Sequence, residues 1–268
     1  MVAVLTISRE FGSGGREIGQ EVARLLGYDY VDKASLLEEI RAFGRKWEEW
    51  GKELDEHCPT VWEKYDWSFR GYGALLQQFI LTHALRGRVV IMGRGGSFLL
   101  KDVPFAFRIR VVAPLAQRIE RIMTRESVDR QTAEWLAEKV DRDRHCFIHA
   151  LYGKNWDEAL EYDRLFDTSQ TSLDEVVAAV KGILAEKDRN PSDEAWKILE
   201  MRAAAARIKA GLLTDVRIFV PIMDVFYDGK DIVLRAIVHN PREHRKVEEA
   251  GRKLAGQLPF RCDLQHRS

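Results

Sequence analysis

The sequence predicts an α/β protein, a mostly parallel sheet with helices on both faces, followed by a small α+β C-terminal module. Three observations carry this reading. Apolar runs alternate with helical stretches from residue 2 to about 187, the pattern of strands joined by crossover helices. The first run ends in a glycine-rich turn that opens directly into a helix. After a polar break at 188–193 the order becomes strand, strand, helix, strand.

The elements follow in order. Residues 2–7 are all apolar but Thr6 and read as a buried strand. Ile18, Val22, Leu25 and Leu26 recur at helical spacing over 16–26, and Gly27 is a C-terminal stop. A short strand at 28–31 is followed by Asp32, placed to cap a helix from Lys33. Residues 44–70 are rich in Trp and charge and show no clear period, whereas 72–86 reads as a helix. Strands are expected at 88–92, 106–112 and 165–168, and helices at 114–148 and 172–187. Beyond the linker, Ser192 is placed to cap a helix at about 193–211. Two β-rich runs, 215–227 and 231–238, flank Asp228-Gly229, a hairpin signal. Asn240-Pro241 starts a helix to about 255, and 260–264 reads as a last strand.

Composition narrows the function classes. Lys+Arg and Asp+Glu are 42 each, so no global field favours nucleic acid or a membrane surface, and any anion site must come from local clustering. No stretch approaches the length of a membrane span. Cys58, Cys146 and Cys262 lie far apart without C-x-x-C spacing. That argues against a zinc site or disulfide framework and fits a reducing, cytoplasmic location.

The glycine turn carries the chemistry. Gly12, Ser13, Gly14 and Gly15 followed by Arg16-Glu17 put backbone amides and a helix N-terminus around one point, a phosphate-binding arrangement. Glu17 stands where a dinucleotide fingerprint needs its third glycine. Against G-x-x-x-x-G-K-[ST] two registers are open. With Gly14 as the second glycine, Arg9, Gly15 and Arg16 replace the first Gly, the Lys and the Ser/Thr; with Gly15, the replacements are Glu10, Arg16 and Glu17. A plain strand-to-helix turn is the bland alternative.

The run Ile7-Ser8-Arg9-Glu10-Phe11-Gly12-Ser13-Gly14-Gly15-Arg16-Glu17-Ile18-Gly19, with Tyr30-Val31-Asp32-Lys33 and Ile91-Met92-Gly93-Arg94-Gly95, resembles the cytidylate-kinase-like family. Val112-Ala113-Pro114 with Arg118, Asp141-Arg142-Asp143-Arg144, Asn155-Trp156, Tyr162-Asp163 and Asp167-Thr168 extend the resemblance over about 1–187. It implies a P-loop nucleoside-monophosphate-kinase fold, a three-layer α/β/α domain at 1–189 with an acceptor insertion at about 33–86 and a lid at about 125–160. It implies ATP held by Gly12, Ser13, Gly14, Gly15 and Arg16, and an acceptor held by Asp32, Lys33 and Arg94. Arg142 and Arg144 become the lid arginines that close over the phosphates, with Arg16 as the loop cation. ATP and Mg2+ are the implied cofactors, nucleotides the implied substrates, and no metal ligand is assigned. The departure from the family is the loop, which has neither the lysine nor the hydroxyl residue.

Each candidate has a bland counterpart. Arg94 follows an apolar strand, where a charge needs a partner; a phosphate is preferred over a carboxylate. Arg118, Arg121 and Arg125 share a helix face, and for any one of them a solvated face balanced by Glu120, Glu126 and Asp129 is the favoured reading. His145 and His149 at i, i+4 lack a third metal ligand. Trp47, Trp50, Trp62 and Trp67 are read as packing a small helical subdomain in preference to stacking on a base. The module at 190–268 resembles a BON-type domain at Val225-Phe226-Tyr227-Asp228-Gly229, Ile232-Val233-Leu234 and Arg245-Lys246-Val247. That implies protein or lipid contact, with a stabilising or dimerising appendage as the alternative. The expected activity is ATP-dependent phosphorylation of a nucleoside monophosphate, cytidylate first. A nucleotide sensor on a kinase scaffold, or a kinase for another small acceptor, are the alternatives.

Overall fold

The computed structural model describes residues 3–54, 58–189 and 193–266. The chain divides into two compact units, Met1–Thr60 with Arg86–Ser192, and Val61–Leu85 with Asp193–Ser268. In chain order the first half runs β1 (Val4–Arg9), α1 (Gly15–Leu26), β2 (Asp29–Val31), α2 (Lys33–Arg41), α3 (Arg45–Leu54), α4 (Val61–Tyr65), α5 (Trp67–Arg86), β3 (Val89–Met92), α6 (Gly96–Leu99) and β4 (Ala106–Val112). It continues through α7 (Leu115–Glu126), α8 (Arg130–Tyr152), β5 (Arg164–Asp167), α9 (Leu173–Lys187), α10 (Asp193–Thr214), β6 (Ile222–Tyr227), β7 (Ile232–Val238), α11 (Pro241–Ala255) and β8 (Phe260–His266).

The first unit is built on a five-stranded parallel sheet of order β2-β3-β1-β4-β5. Strand β1 lies in the centre because β3 and β4 cover both its edges. Leu5 and Ile7 of β1 pack with Ile18 and Val22 of α1 and with Val176 and Val180 of α9. Each such side chain contributes about 1.5–3 kcal/mol by leaving water, so the helical spacing in 16–26 is what docks α1. β1 runs two residues past the expected end, because Ser8 and Arg9 pair with Arg110 and Val111 of β4. The helix starts follow their signals. Asp32 and Ser35 form a reciprocal capping box, Ser172 and Glu175 another, and Gly27 closes α1 in the left-handed region.

The stretch 44–70, read as lacking a period, contains α3, α4 and the start of α5. Of its tryptophans Trp47 is buried and Trp62 is 86% exposed, so packing explains only part of the cluster.

In the second unit β6 and β7 are antiparallel and β7 and β8 parallel, with β7 in the centre. The turn at 228–231 is held by Asp228 Oδ1, which accepts from the Lys230 and Asp231 amides at 2.9 and 2.8 Å. Asn240 caps α11, which returns the chain for the parallel β8. The first part of the expected run 215–227 is not strand; β6 begins at Ile222. Helix α5 belongs to this unit, although the insertion expected at 33–86 contains it. Its Arg70 guanidinium donates to the main-chain oxygens of Pro221 and Met223, and the Trp67 ring lies 5.2 Å from the Phe219 ring, tilted by 43°.

One sequence expectation is overturned. Cys58 and Cys146 form a disulfide, 88 residues apart in sequence, leaving Cys262 as the free thiol. Spacing along the chain carries no signal for such a pair; the fold brings the α3–α4 connection to α8. Among the described residues no helix is long and apolar enough to cross a membrane.

Candidate active site

The parallel register pairs Ile7 with Met92 and Val31 with Ile91. The carboxyl ends of β1, β2 and β3 therefore share one edge of the sheet, where ligands of such folds bind. The glycine loop, Asp32 and Gly93-Arg94 all leave from that edge.

The loop is braced from below. The Phe11 amide donates to Asp141 Oδ1 at 2.8 Å, and the Ser13 hydroxyl donates to the Glu10 oxygen at 2.9 Å. Thr168 Oγ1 donates to the Ser13 oxygen at 2.8 Å, and Arg121 reaches both Thr168 Oγ1, at 2.7 Å, and the Gly12 oxygen, at 3.4 Å. Arg118 donates to Asp141 Oδ2 and, at 3.2 Å, to the Phe11 oxygen. Arg118 and Arg121 are thus loop braces, not the solvated face that their balance with nearby acids favoured. Burial pushes the Asp141 carboxyl up, while the Phe11 amide, Arg144 and Arg118 all favour its charged form.

Gly12 and Gly14 have φ of 82° and 87°, a backbone that excludes ordinary side chains. Helix α1 starts at Gly15 with Gly14 as its cap and no side chain capping its first turn, leaving amides of the kind that hold anions. Arg9, at the end of β1, and Arg16, in the first turn of α1, flank this loop. Together with Arg125 and Arg144 the loop lines a cavity of about 140 Å³.

A larger cavity of about 510 Å³ adjoins the same residues. Arg9, Arg16, Lys33, Arg94, Lys139 and Arg144 line it against the acids Asp32 and Asp143. Such a concentration of guanidinium and ammonium groups suits phosphate. Burial and Asp32 raise the Tyr30 hydroxyl pKa, and Arg9 and Arg16 oppose them.

The structure brings together Gly12, Gly14, Gly15, Arg16, Asp32, Lys33, Arg94 and Arg144 at these two cavities. Asp32 spends Oδ1 on the amides of Ala34 and Ser35, at 2.9 and 3.3 Å. Arg94, at φ 56°, is held in the left-handed region, with its guanidinium 5.8 Å from the Phe147 ring. Ser13 is fully buried beneath the loop. Arg142 is exposed and lines neither cavity, whereas Trp135, Leu136, Lys139, Val140, Asp143 and Arg144 of the same helix line the larger one. His145 lies 3.2 Å from Asp157, and no group of three metal-ligating residues occurs among those described.

Sequence reasoning missed three things. Asp141 and Thr168 are the hubs of the loop, and only the i, i+3 spacing of Arg118 and Arg121 hinted at it. Arg9 lines both cavities. Arg108 and Arg110, alternate residues of a buried strand, are almost wholly enclosed. Arg108 forks onto Asp163 at 2.6 Å, and Arg110 onto Asp157 at 2.6 Å beneath the Trp156 ring. Charges at period two in an apolar strand were the available signal.

Comparison with known proteins agrees with this geometry. A family model described as the cytidylate kinase-like family matches residues 4–170. The cytidylate kinase of Pyrococcus horikoshii is 26% identical over 187 residues, covering 69% of this chain and 90% of that enzyme. The uronate isomerase of Corynebacterium glutamicum is 31% identical over 98 residues, but these are 37% of this chain and only 19% of that enzyme. An uncharacterized protein of Eubacterium ventriosum has a similar fold, with TM-score 0.55 and 21% identity over 68% of this chain and 98% of that one. With a family match over most of its length, residues 4–170, the chain belongs to the cytidylate kinase-like family.

Proposed function

We propose that this protein transfers the γ-phosphoryl group of ATP to a nucleoside monophosphate, with cytidylate the first acceptor to try. The observation that carries the reading is the pair of adjoining cavities, with Arg9, Arg16 and Arg144 common to both. Phosphoryl transfer asks the protein for in-line positioning and for positive charge around the transferring group. The loop amides and Arg16 hold the donor phosphates. Asp32, Lys33 and Arg94 orient the acceptor in the larger cavity. Arg144 reaches the same point from the lid side and, with the loop cations, stabilises charge on the phosphoryl oxygens as it develops.

The donor set does not suit a loop-held magnesium ion. With Gly14 read as the second glycine of the loop pattern, Arg16 takes the Ser/Thr position, and the Ser13 hydroxyl is fully buried, donating inward to the Glu10 oxygen. Neutralisation by protein groups therefore falls on guanidinium side chains.

The test is purified protein with MgATP and a panel of nucleoside monophosphates. A diphosphate product with cytidylate at the highest kcat/KM supports the reading; a different preferred monophosphate changes only the acceptor. No diphosphate with any acceptor at saturation overturns it. In the same register Gly15 takes the lysine position, which favours a second reading, a nucleotide sensor whose output is carried by residues 190–268. Tight nucleotide binding without turnover is its signature.

A further inference from the structure

We propose that Arg9 is the cation that replaces the missing lysine, acting from the position the phosphate-loop pattern gives to its first glycine. The inference rests on the kinase reading above and names a residue for it.

The path of the Arg9 side chain is set by two glycines. A Cβ on Gly15 would lie 2.6 Å from Arg9 Cβ and 3.1 Å from Arg9 Cγ, closer than packed side chains approach. A Cβ on Gly93 would run into Arg9 Nη1. The side chain therefore leaves the end of β1, crosses the first residue of α1, and ends against the turn after β3. That route leads from the donor loop to Gly93-Arg94 on the acceptor side. Arg9 lines the loop cavity, the larger cavity and a third small one beside Arg94 and Phe98, so its guanidinium lies where the transferring phosphoryl group must pass.

The two departures from the usual loop are thus one exchange. A side chain at position 9 occupies the space of a side chain at position 15, and the sequence has Arg at the first and Gly at the second. A lysine at 15 is incompatible with arginine at 9; with glycine there it keeps one close neighbour, Val111 Cβ at 3.3 Å, which must give by a few tenths of an ångström. Arg16 is exposed on the next residue of the helix, whereas Arg9 is half-buried at the strand end. A planar fork held at both ends of its path is pre-organised for phosphate oxygens.

The experiment compares wild type, Arg9→Ala, Arg9→Lys, Gly15→Lys and the double variant Arg9→Gly with Gly15→Lys. Binding of a nonhydrolysable ATP analogue and of pyrophosphate is measured by calorimetry, alongside thermal melting. Arg9→Ala is expected to weaken binding about 10- to 100-fold with the melting temperature retained, the loss of a charge-assisted contact, and Arg9→Lys to recover part of it. Gly15→Lys alone is expected to lose both binding and stability, and the double variant to regain both. Unchanged analogue affinity in Arg9→Ala, or equal damage from Gly15→Lys with and without Arg9, overturns the role of Arg9 alone. A wild type that binds neither probe overturns the kinase reading together with it.

Discussion

The guanidinium of Arg144 donates from Nη1 to the main-chain oxygen of Arg9 at 2.8 Å. One hydrogen bond thereby joins α8 to the last residue of the central strand. Arg144→Ala is expected to lower kcat about 10- to 100-fold through the lost charge and tie, with Arg144→Lys intermediate. Arg142→Ala, on the exposed side of the same helix, is expected to stay within about twofold of wild type, as surface changes do. Steady-state kinetics on the three variants checks the pair; equal losses at 142 and 144 would place the lid arginines differently.

Asp32 both caps α2 and lines the larger cavity. Asp32→Ala is expected to cost about 1 kcal/mol of stability from the lost cap and to raise the acceptor KM. Ser35→Ala, which removes only the reciprocal half of the capping box, is expected to affect stability without the KM change. Denaturant melts and acceptor titrations separate the two effects.

Asp163 holds the buried Arg108 through both carboxylate oxygens, at 2.6 and 3.3 Å. Asp163→Ala is expected to destabilise by about 3 kcal/mol, because a buried guanidinium loses its counter-charge. The Ser97 and Glu161 oxygens still accept from Arg108 at 3.3 and 3.2 Å, which keeps the loss at the lower end of the range for broken buried pairs. Chemical denaturation gives the value, and a loss under about 1 kcal/mol would mean that water already screens this pair.

The Cys58–Cys146 disulfide closes a long loop of the chain. Reduction, or Cys58→Ser, is expected to remove about 2–4 kcal/mol of stability. Under denaturing conditions a thiol titration should find only Cys262 before reduction and all three cysteines after it. A dithiothreitol effect that persists in Cys58→Ser would assign the loss elsewhere.

Asp215 lies in the second unit, its carboxyl drawn down from 3.8 to about 2 by the Arg217 side chain and the Arg217 amide. A carboxylate depressed on folding adds stability that is present above its unfolded value and lost as pH falls through the folded one. Its contribution is therefore full above about pH 4 and fades toward pH 2. Melting temperatures across that window should fall less steeply in Asp215→Asn than in wild type.

Local signals read well where one element decides its own structure. The apolar run of β1, the spacing of Ile18 and Val22, the caps at Asp32 and Gly27 and the turn at Asp228-Gly229 all describe elements found in place. They failed where the partner is distant. Nothing near Trp67 or Arg70 says that α5 groups with the C-terminal module. Nothing near Cys58 points to Cys146, and the charges on α7 read as solvated because their acceptors, Asp141, Thr168 and the loop carbonyls, come from other segments.

By itself the sequence determined the alternation of the five parallel strands with their main helices, the glycine loop and a sheet edge where that loop, Asp32 and Gly93-Arg94 converge, because helix periodicity, caps and left-handed turns are short-range physics. Only the tertiary structure decided that a side chain at Gly15 would take the space of the Arg9 side chain. Steric exclusion between side chains on different elements depends on distances of a few tenths of an ångström, which no spacing along the chain encodes.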